Sequence, residues 1–265
     1  MLLMNFPWSK NQQRQELLGQ PFPDNWLEYI RANVAYYQYL SRENQQKLRD
    51  IARIIIAEKS WEGCGGLTLT DEMQVTIAAQ AALLVLGFDH EYYPNVETIL
   101  VYPQGFLIPQ IRREECRVLK EQMFPAAGLA AQQGPVIIAW SEAQQGGKNA
   151  NDGSNVVLHE FAHKLDMRDG SADGTPYLRD RAEIDEWSRV MSAEYQLLVE
   201  QSAAGHKTLI DPYGATNPAE FFAVTTECFF EKPHQMQQAQ GELYAVLRDY
   251  YHQDPATLLP LHNGQ

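Results

Sequence analysis

The sequence predicts an α+β fold, mainly helical, with a small sheet set between groups of helices. Three observations carry that expectation. Apolar residues recur at helical spacing between residues 25 and 87, short β-branched runs fall between residues 96 and 140, and helical patterning returns from residue 151 onward. No internal repeat or low-complexity linker divides the 265 residues, so the whole chain 1–265 reads as one globular unit. Within it, residues 1–90 form a helical N-terminal lobe beside a core over residues 91–265.

The first helix is expected over residues 25–40, where Trp26, Tyr29, Ile30, Val34, Tyr37 and Leu40 share one face. Ser41 suits the N-cap of a second helix running to about Lys59. The chain then turns at Cys64, Gly65 and Gly66. A third helix starts at Thr70 or Asp71 and ends at Gly87, a fitting C-cap residue. Its run VTIAAQAALLVLGF is 14 residues long, apolar all round and interrupted by Gln80. That is too short to cross a bilayer and suits a buried helix. Strands are expected at VETILVYP (96–103), FLIP (106–109) and VIIAW (136–140), each bounded by Pro or Gly. Near the C-terminus, Leu243, Leu247, Tyr250 and Tyr251 stand at helical spacing and read as core.

Composition narrows the function classes. A net charge of −13 repels phosphate backbones, which argues against direct nucleic-acid binding. The densest basic cluster, Arg112, Arg113, Arg117 and Lys120, is interrupted by Glu114, Glu115 and Glu121 and reads as a solvated helix face. Cys64, Cys116 and Cys228 stand far apart and form no CxxC, as expected of reduced thiols in a cytoplasmic protein. The opening MLLMNFPWSKNQQRQ lacks the basic-then-apolar pattern of a signal peptide, and nothing suggests a membrane span.

The chemistry concentrates in VVLHEFAHKLDMRDG, residues 156–170. His159 and His163 stand four apart, so a helix presents both imidazoles on one face, suited to one tetrahedral Zn²⁺. Glu160 projects beside that face, where it can take a proton from an activated water. The competing reading is a core helix with two satisfied histidines, a costly way to build a core.

A catalytic site needs a third ligand, and two candidates compete. Asp169 lies six residues after His163, but using it requires a sharp turn at Asp166, where related motifs place Gly. Asp166 and Asp169 otherwise read as loop residues or as acceptors for a histidine N–H. The second candidate is Glu220 in NPAEFFAV, 61 residues after His159. Asn217 is a good N-cap and Pro218 suits the first helical position, which puts Glu220 in the first turn. A carboxylate there also complements the helix dipole and can be a capping residue only. Glu227, two turns on and on the same face, can hydrogen-bond a ligating histidine or hold a nearby cation.

HEFAH together with YGATNPAEFFA resembles the catalytic region of anthrax lethal factor-type metalloproteases over about residues 150–235. Over its full length the chain resembles the bacterial Mlc titration factor A family, on FPDNWLEYIRANVAYYQYL, HEFAHKLDMRDG and NPAEFFAV. The resemblance implies a gluzincin-like core in which His159, His163 and Glu220 hold Zn²⁺. It further implies Glu160 as general base and Tyr213 as a group supporting the reaction. It implies peptide substrates, an aminopeptidase-type activity, and binding of the Mlc repressor that governs the glucose phosphotransferase system. A different class of function is also open: a non-catalytic repressor-sequestering protein with a structural zinc site.

Overall fold

A computed structural model describes residues 10–89, 92–104, 106–109, 123–126, 128–130 and 134–261. The basic cluster at 112–120 and Cys116 lie outside the described residues. The chain opens with α1 (Lys10–Gly19) and α2 (Asp24–Asn33). The expected helix to Leu40 stops earlier: Val34 leaves the helical region and a 3₁₀ turn covers Ala35–Tyr39. Asn33 accounts for the break, because its amide donates to Glu72 Oε1 at 2.9 Å and Thr76 Oγ1 at 3.1 Å and so ties this end to a neighbouring helix.

Helix α3 (Arg42–Glu58) starts where expected, with Ser41 Oγ accepting from Asn44 N. Its buried Arg53 donates to the carbonyls of Leu17 and Gln20, satisfying groups at the end of α1. Strand β1 (Ser60–Gly63) follows, and Gly65 and Gly66 turn the chain with positive φ. Helix α4 (Asp71–Leu84) is capped by Thr70, and every residue from Val75 to Leu84 is buried. It ends at Leu84, not at Gly87. Gly87 serves a close approach instead: a Cβ there would lie 2.0 Å from the Tyr251 carbonyl oxygen.

Next come β2 (Thr98–Tyr102), β3 (Phe106–Pro109), β4 (Met123–Ala126), β5 (Gly128–Ala130) and β6 (Val136–Ala139). Strands β1, β2 and β6 run parallel, with Ile99 opposite Val136 and Val101 opposite Ile138. Strand β5 closes the order β1-β2-β6-β5 in the antiparallel sense, and β3 pairs with β4 separately. Strand β1 thereby joins the chain before residue 90 to the same sheet as the later strands.

The remaining elements are helical: α5 (Trp140–Lys148), α6 (Val156–Asp166), α7 (Arg181–Ala203), α8 (Pro218–Glu231), α9 (Pro233–Ala239), α10 (Gly241–Tyr251) and α11 (Pro255–Leu258). Helix α6 contacts α4, α5, α8 and strands β5 and β6, so it lies at the centre of the packing. One apolar core runs from Ile30 to Leu259 and includes Leu243, Leu247 and Tyr251 of α10. Phe222 and Phe229 of α8 meet Trp187 and Tyr251, with ring centroids 5.5 and 5.7 Å apart. Among the described residues, no helix is long and apolar enough to cross a membrane.

Candidate metal centre

Two helices meet at the centre, and each begins with a side-chain cap. Asn155 starts α6, its Oδ1 accepting from Val157 N and Leu158 N at 3.1 Å each. Asn217 starts α8, its Oδ1 accepting from Glu220 N at 3.0 Å, with Pro218 in the first turn. The caps fix where each helix starts, and the packing of α8 against α6 brings Glu220 across to His159 and His163.

His159 Nε2 and Glu220 Oε2 are 3.0 Å apart, His163 Nε2 and Glu220 Oε2 3.3 Å, and the two Nε2 atoms 3.2 Å. Ligands held at about 2.0–2.1 Å by one tetrahedral ion stand ~3.3 Å from one another. The three edges of the triangle therefore fit such an ion. Among the described residues, this is the group of His, Cys, Asp and Glu side chains able to hold a metal, with ligand atoms all within 4.8 Å. Two aligned imidazole nitrogens cannot satisfy each other unless a proton or a cation lies between them, so the donor set itself calls for one.

The partner of His159 on its other side is Glu227, with Oε1 2.7 Å from Nδ1. A carboxylate accepts, so Nδ1 carries a proton toward Glu227, which would leave Nε2 as the nitrogen to face an ion in the triangle. Glu227 Oε2 accepts in addition from Asn155 N at 2.5 Å, and Glu231 Oε2 accepts from Gly153 N and Ser154 N at 2.9 and 3.1 Å. Glu220, Glu227 and Glu231 thus form one stripe of α8 along the lead into α6. Burial raises the Glu231 carboxyl well above the ordinary carboxylate value.

The electrostatics follow from this crowding. Burial alone would lower the His159 pKa, but hydrogen bonds to Glu220 and Glu227 and the charges of Glu227 and Glu160 raise it well above the ordinary imidazole value. Burial would raise Glu220, yet His159 and His163 outweigh it and draw the carboxyl down to about 2. Glu160, 3 % exposed, is pushed up to about 8 by burial and by the charges of Glu220 and Glu227, with His159 opposing. Its Oε2 is buried without a hydrogen-bond partner.

Asp166 and Asp169 are elsewhere. Asp166 keeps right-handed helical dihedrals, and the chain continues through a 3₁₀ turn, Met167–Asp169, to Gly170 at φ 95°. The sharp turn that would return Asp169 to the histidines is therefore absent there. Asp169 is exposed and accepts from Ser171 N at 2.9 Å. Asp166 is buried and accepts from Gly174 N at 3.0 Å, and burial pushes its carboxyl up to about 6.

Tyr213 stands in a 3₁₀ turn, Pro212–Thr216, capped by Asp211. Its ring is 52 % exposed and its centroid lies 6.1 Å from that of His159. Burial, then the charges of Glu220 and Glu160, raise its hydroxyl to about 12. Tyr213, His159, Glu160 and Glu227 line a cleft of about 320 Å³, with Glu142, Asp152 and Asp211 also on its walls. A larger cavity of about 590 Å³ lies between α7 and α10 and contains none of these residues. Sequence reasoning missed Asn155 and Glu231. The N-cap signal of an Asn directly before the apolar run VVLHEF would have found the first.

A triad of possible metal ligands and the family match together support a metallopeptidase-type protein. The chain belongs to the family of glucose-regulated metallo-peptidases M90, whose profile matches residues 8–252. It is 39 % identical over 254 residues to an uncharacterised protein of Synechocystis, covering 96 % of this chain and 92 % of that one. It is 31 % identical over 260 residues to the Mlc titration factor A of Serratia proteamaculans (97 % and 95 % covered). The protein of that name from Pectobacterium atrosepticum is 29 % identical over 265 residues (97 % and 94 %).

Proposed function

We propose that the protein is a cytoplasmic, zinc-dependent, aminopeptidase-type metallopeptidase of gluzincin-like architecture that also binds the Mlc repressor. In this reading residues 91–265 carry the catalysis and the N-terminal helices support them. The observation that carries the reading is the triangle of His159, His163 and Glu220 with edges of 3.0–3.3 Å, beside a buried, unpartnered Glu160 oxygen. Two nitrogens and one carboxylate oxygen are a donor set suited to zinc.

When bound there, zinc supplies a Lewis acid that polarises the scissile carbonyl and acidifies water. Glu160 takes the proton of the attacking water and returns it to the leaving amine. Glu227 fixes the tautomer of His159. Tyr213 keeps its proton at neutral pH, since its hydroxyl is raised to about 12, and donates a hydrogen bond to the oxyanion. Tyr213→Phe is expected to lower kcat more than KM, because the hydrogen bond forms only as negative charge develops. Steady-state kinetics check this, and a change confined to KM would assign the ring to substrate packing.

The acids Glu142, Asp152 and Asp211 on the cleft walls are the groups available to a substrate's protonated amino terminus. A chelator experiment separates the two functions. EDTA is expected to stop hydrolysis of aminoacyl chromogenic substrates and to leave repressor binding intact. Failure to cleave any peptide with zinc loaded would instead support a non-catalytic, repressor-sequestering protein with a structural zinc.

A further inference from the structure

Gln80 interrupts the apolar run of α4, and at 2 % exposure it has no contact with solvent to explain it. Its amide is fully engaged. Nε2 donates to Thr76 O at 3.1 Å and to Ala143 O at 3.0 Å, while Oε1 accepts from Asn155 Nδ2 at 2.9 Å. Two carbonyls on the nitrogen side forbid a flipped amide, and that fixes Asn155 in turn. Asn155 must present Nδ2 to Gln80 and Oδ1 to the first turn of α6. Its own N–H then meets Glu227, whose other oxygen holds Nδ1 of His159.

In the chain Gln80–Asn155–Glu227–His159 the first three members are buried, at 2, 5 and 6 % exposed, and the chain reaches the cleft at its Glu227 and His159 end. Helix α5 lies close against this chain and against the end of α2. A Cβ at Gly147 would lie 2.4 Å from the Asn33 carbonyl oxygen and 2.8 Å from Gln80 Nε2, and one at Gly146 would lie 3.1 Å from Asn155 Cα. Two adjacent glycines inside a helix weaken it, so the close approach has a structural cost that ordinary core packing would not need.

We infer that Gln80 is a positioning residue for the metal centre, acting through Asn155 and Glu227 to set the orientation and tautomer of His159. The inference rests on the reading that the His159, His163 and Glu220 triangle holds a metal ion. An apolar side chain of equal length fills the same volume and leaves the amide of Asn155 unanchored.

The test uses the full-length protein and four variants: Gln80→Met, Asn155→Ser, their double, and Ile77→Val as a core control on the same helix. Zn²⁺ affinity is measured by chelator competition, the ligand field by the visible spectrum of the Co²⁺-loaded protein, and folding by the Tm without metal. Asn155→Ser keeps a capping oxygen but cannot reach Gln80. Gln80→Met and Asn155→Ser are each expected to weaken Zn²⁺ about 10-fold and to alter the Co²⁺ spectrum. The double variant is expected to be no weaker than the worse single, because both cut one chain. Ile77→Val is expected to lower Tm and leave both metal readouts at the parent values. Parent-like affinity and spectrum in Gln80→Met, or additive losses in the double, would overturn the inference. Should Gln80→Met fail to fold, Asn155→Ser decides alone. A parent protein that takes up no Co²⁺ at all overturns the metal reading itself, before any variant is compared.

Discussion

Glu160→Gln is expected to reduce kcat for peptide hydrolysis by about 10²–10⁴-fold, the range for loss of a positioned general base, with one equivalent of metal still bound. The two readouts are separable because Glu160 contributes no atom to the triangle of His159, His163 and Glu220. Glutamine has the same length and leaves no cavity at a site only 3 % exposed. The substitution also relieves the fold. With only the protein's own charges, the Glu160 carboxyl is held near 8 against an ordinary value of 4.5, so the folded chain binds the extra proton between those limits. Stability contributed by this group therefore falls as pH rises through that window, and a neutral glutamine removes the effect. The metal-free variant at pH 7 should melt no lower than its parent. An active Glu160→Gln enzyme would remove the residue as base.

Glu220→Ala is expected to weaken metal binding by more than about 100-fold, beyond what loss of an outer hydrogen-bond partner causes. Glu220 is the only oxygen in the triangle and the charge that faces both imidazoles, at 3.0 and 3.3 Å. Its removal leaves two imidazole nitrogens and no oxygen donor in the triangle. The helix should survive, since the cap bond from Asn217 is made to the backbone N–H of residue 220 and not to its side chain. Competition with a chromogenic chelator gives the affinity, and far-UV circular dichroism verifies the helix. Unchanged affinity in a folded variant would move the third ligand elsewhere.

The amino-acid sequence disclosed most where chemistry and local rules coincide. HExxH, the cap at Asn217 and the helical phase of Glu227 are all readable because a helix fixes the directions of side chains four and seven apart. Ser41 and Thr70 announce their helices for the same reason. What escaped depends on distant partners. Helix α2 ends at Asn33 because α4 offers Glu72 and Thr76, which no pattern within residues 25–40 records. Strand β1, SWEG, carries no β-branched residue and is a strand because β2 lies alongside it. Gly87 looked like a helix stop, and its actual reason is the carbonyl of Tyr251, far along the chain. The choice between Asp169 and Glu220 was likewise a question of tertiary placement. The chain after Asp166 carries Asp169 away from the histidines, and the docking of α8 brings Glu220 to them.

The stripe of glutamates on α8 has a consequence for the history of the chain. Gly153, Ser154 and Asn155 have their N–H groups held by Glu231 and Glu227, which follow them by more than seventy residues. Before those residues have been synthesised, HEFAH has its Asn155 cap but lacks Glu227, Glu231 and the Glu220 carboxylate beside its histidines. Such a nascent or truncated chain has no trap for an ion, however early its two histidines appear. If the triangle holds a metal as proposed, its acquisition is a late event, coupled to completion of the core.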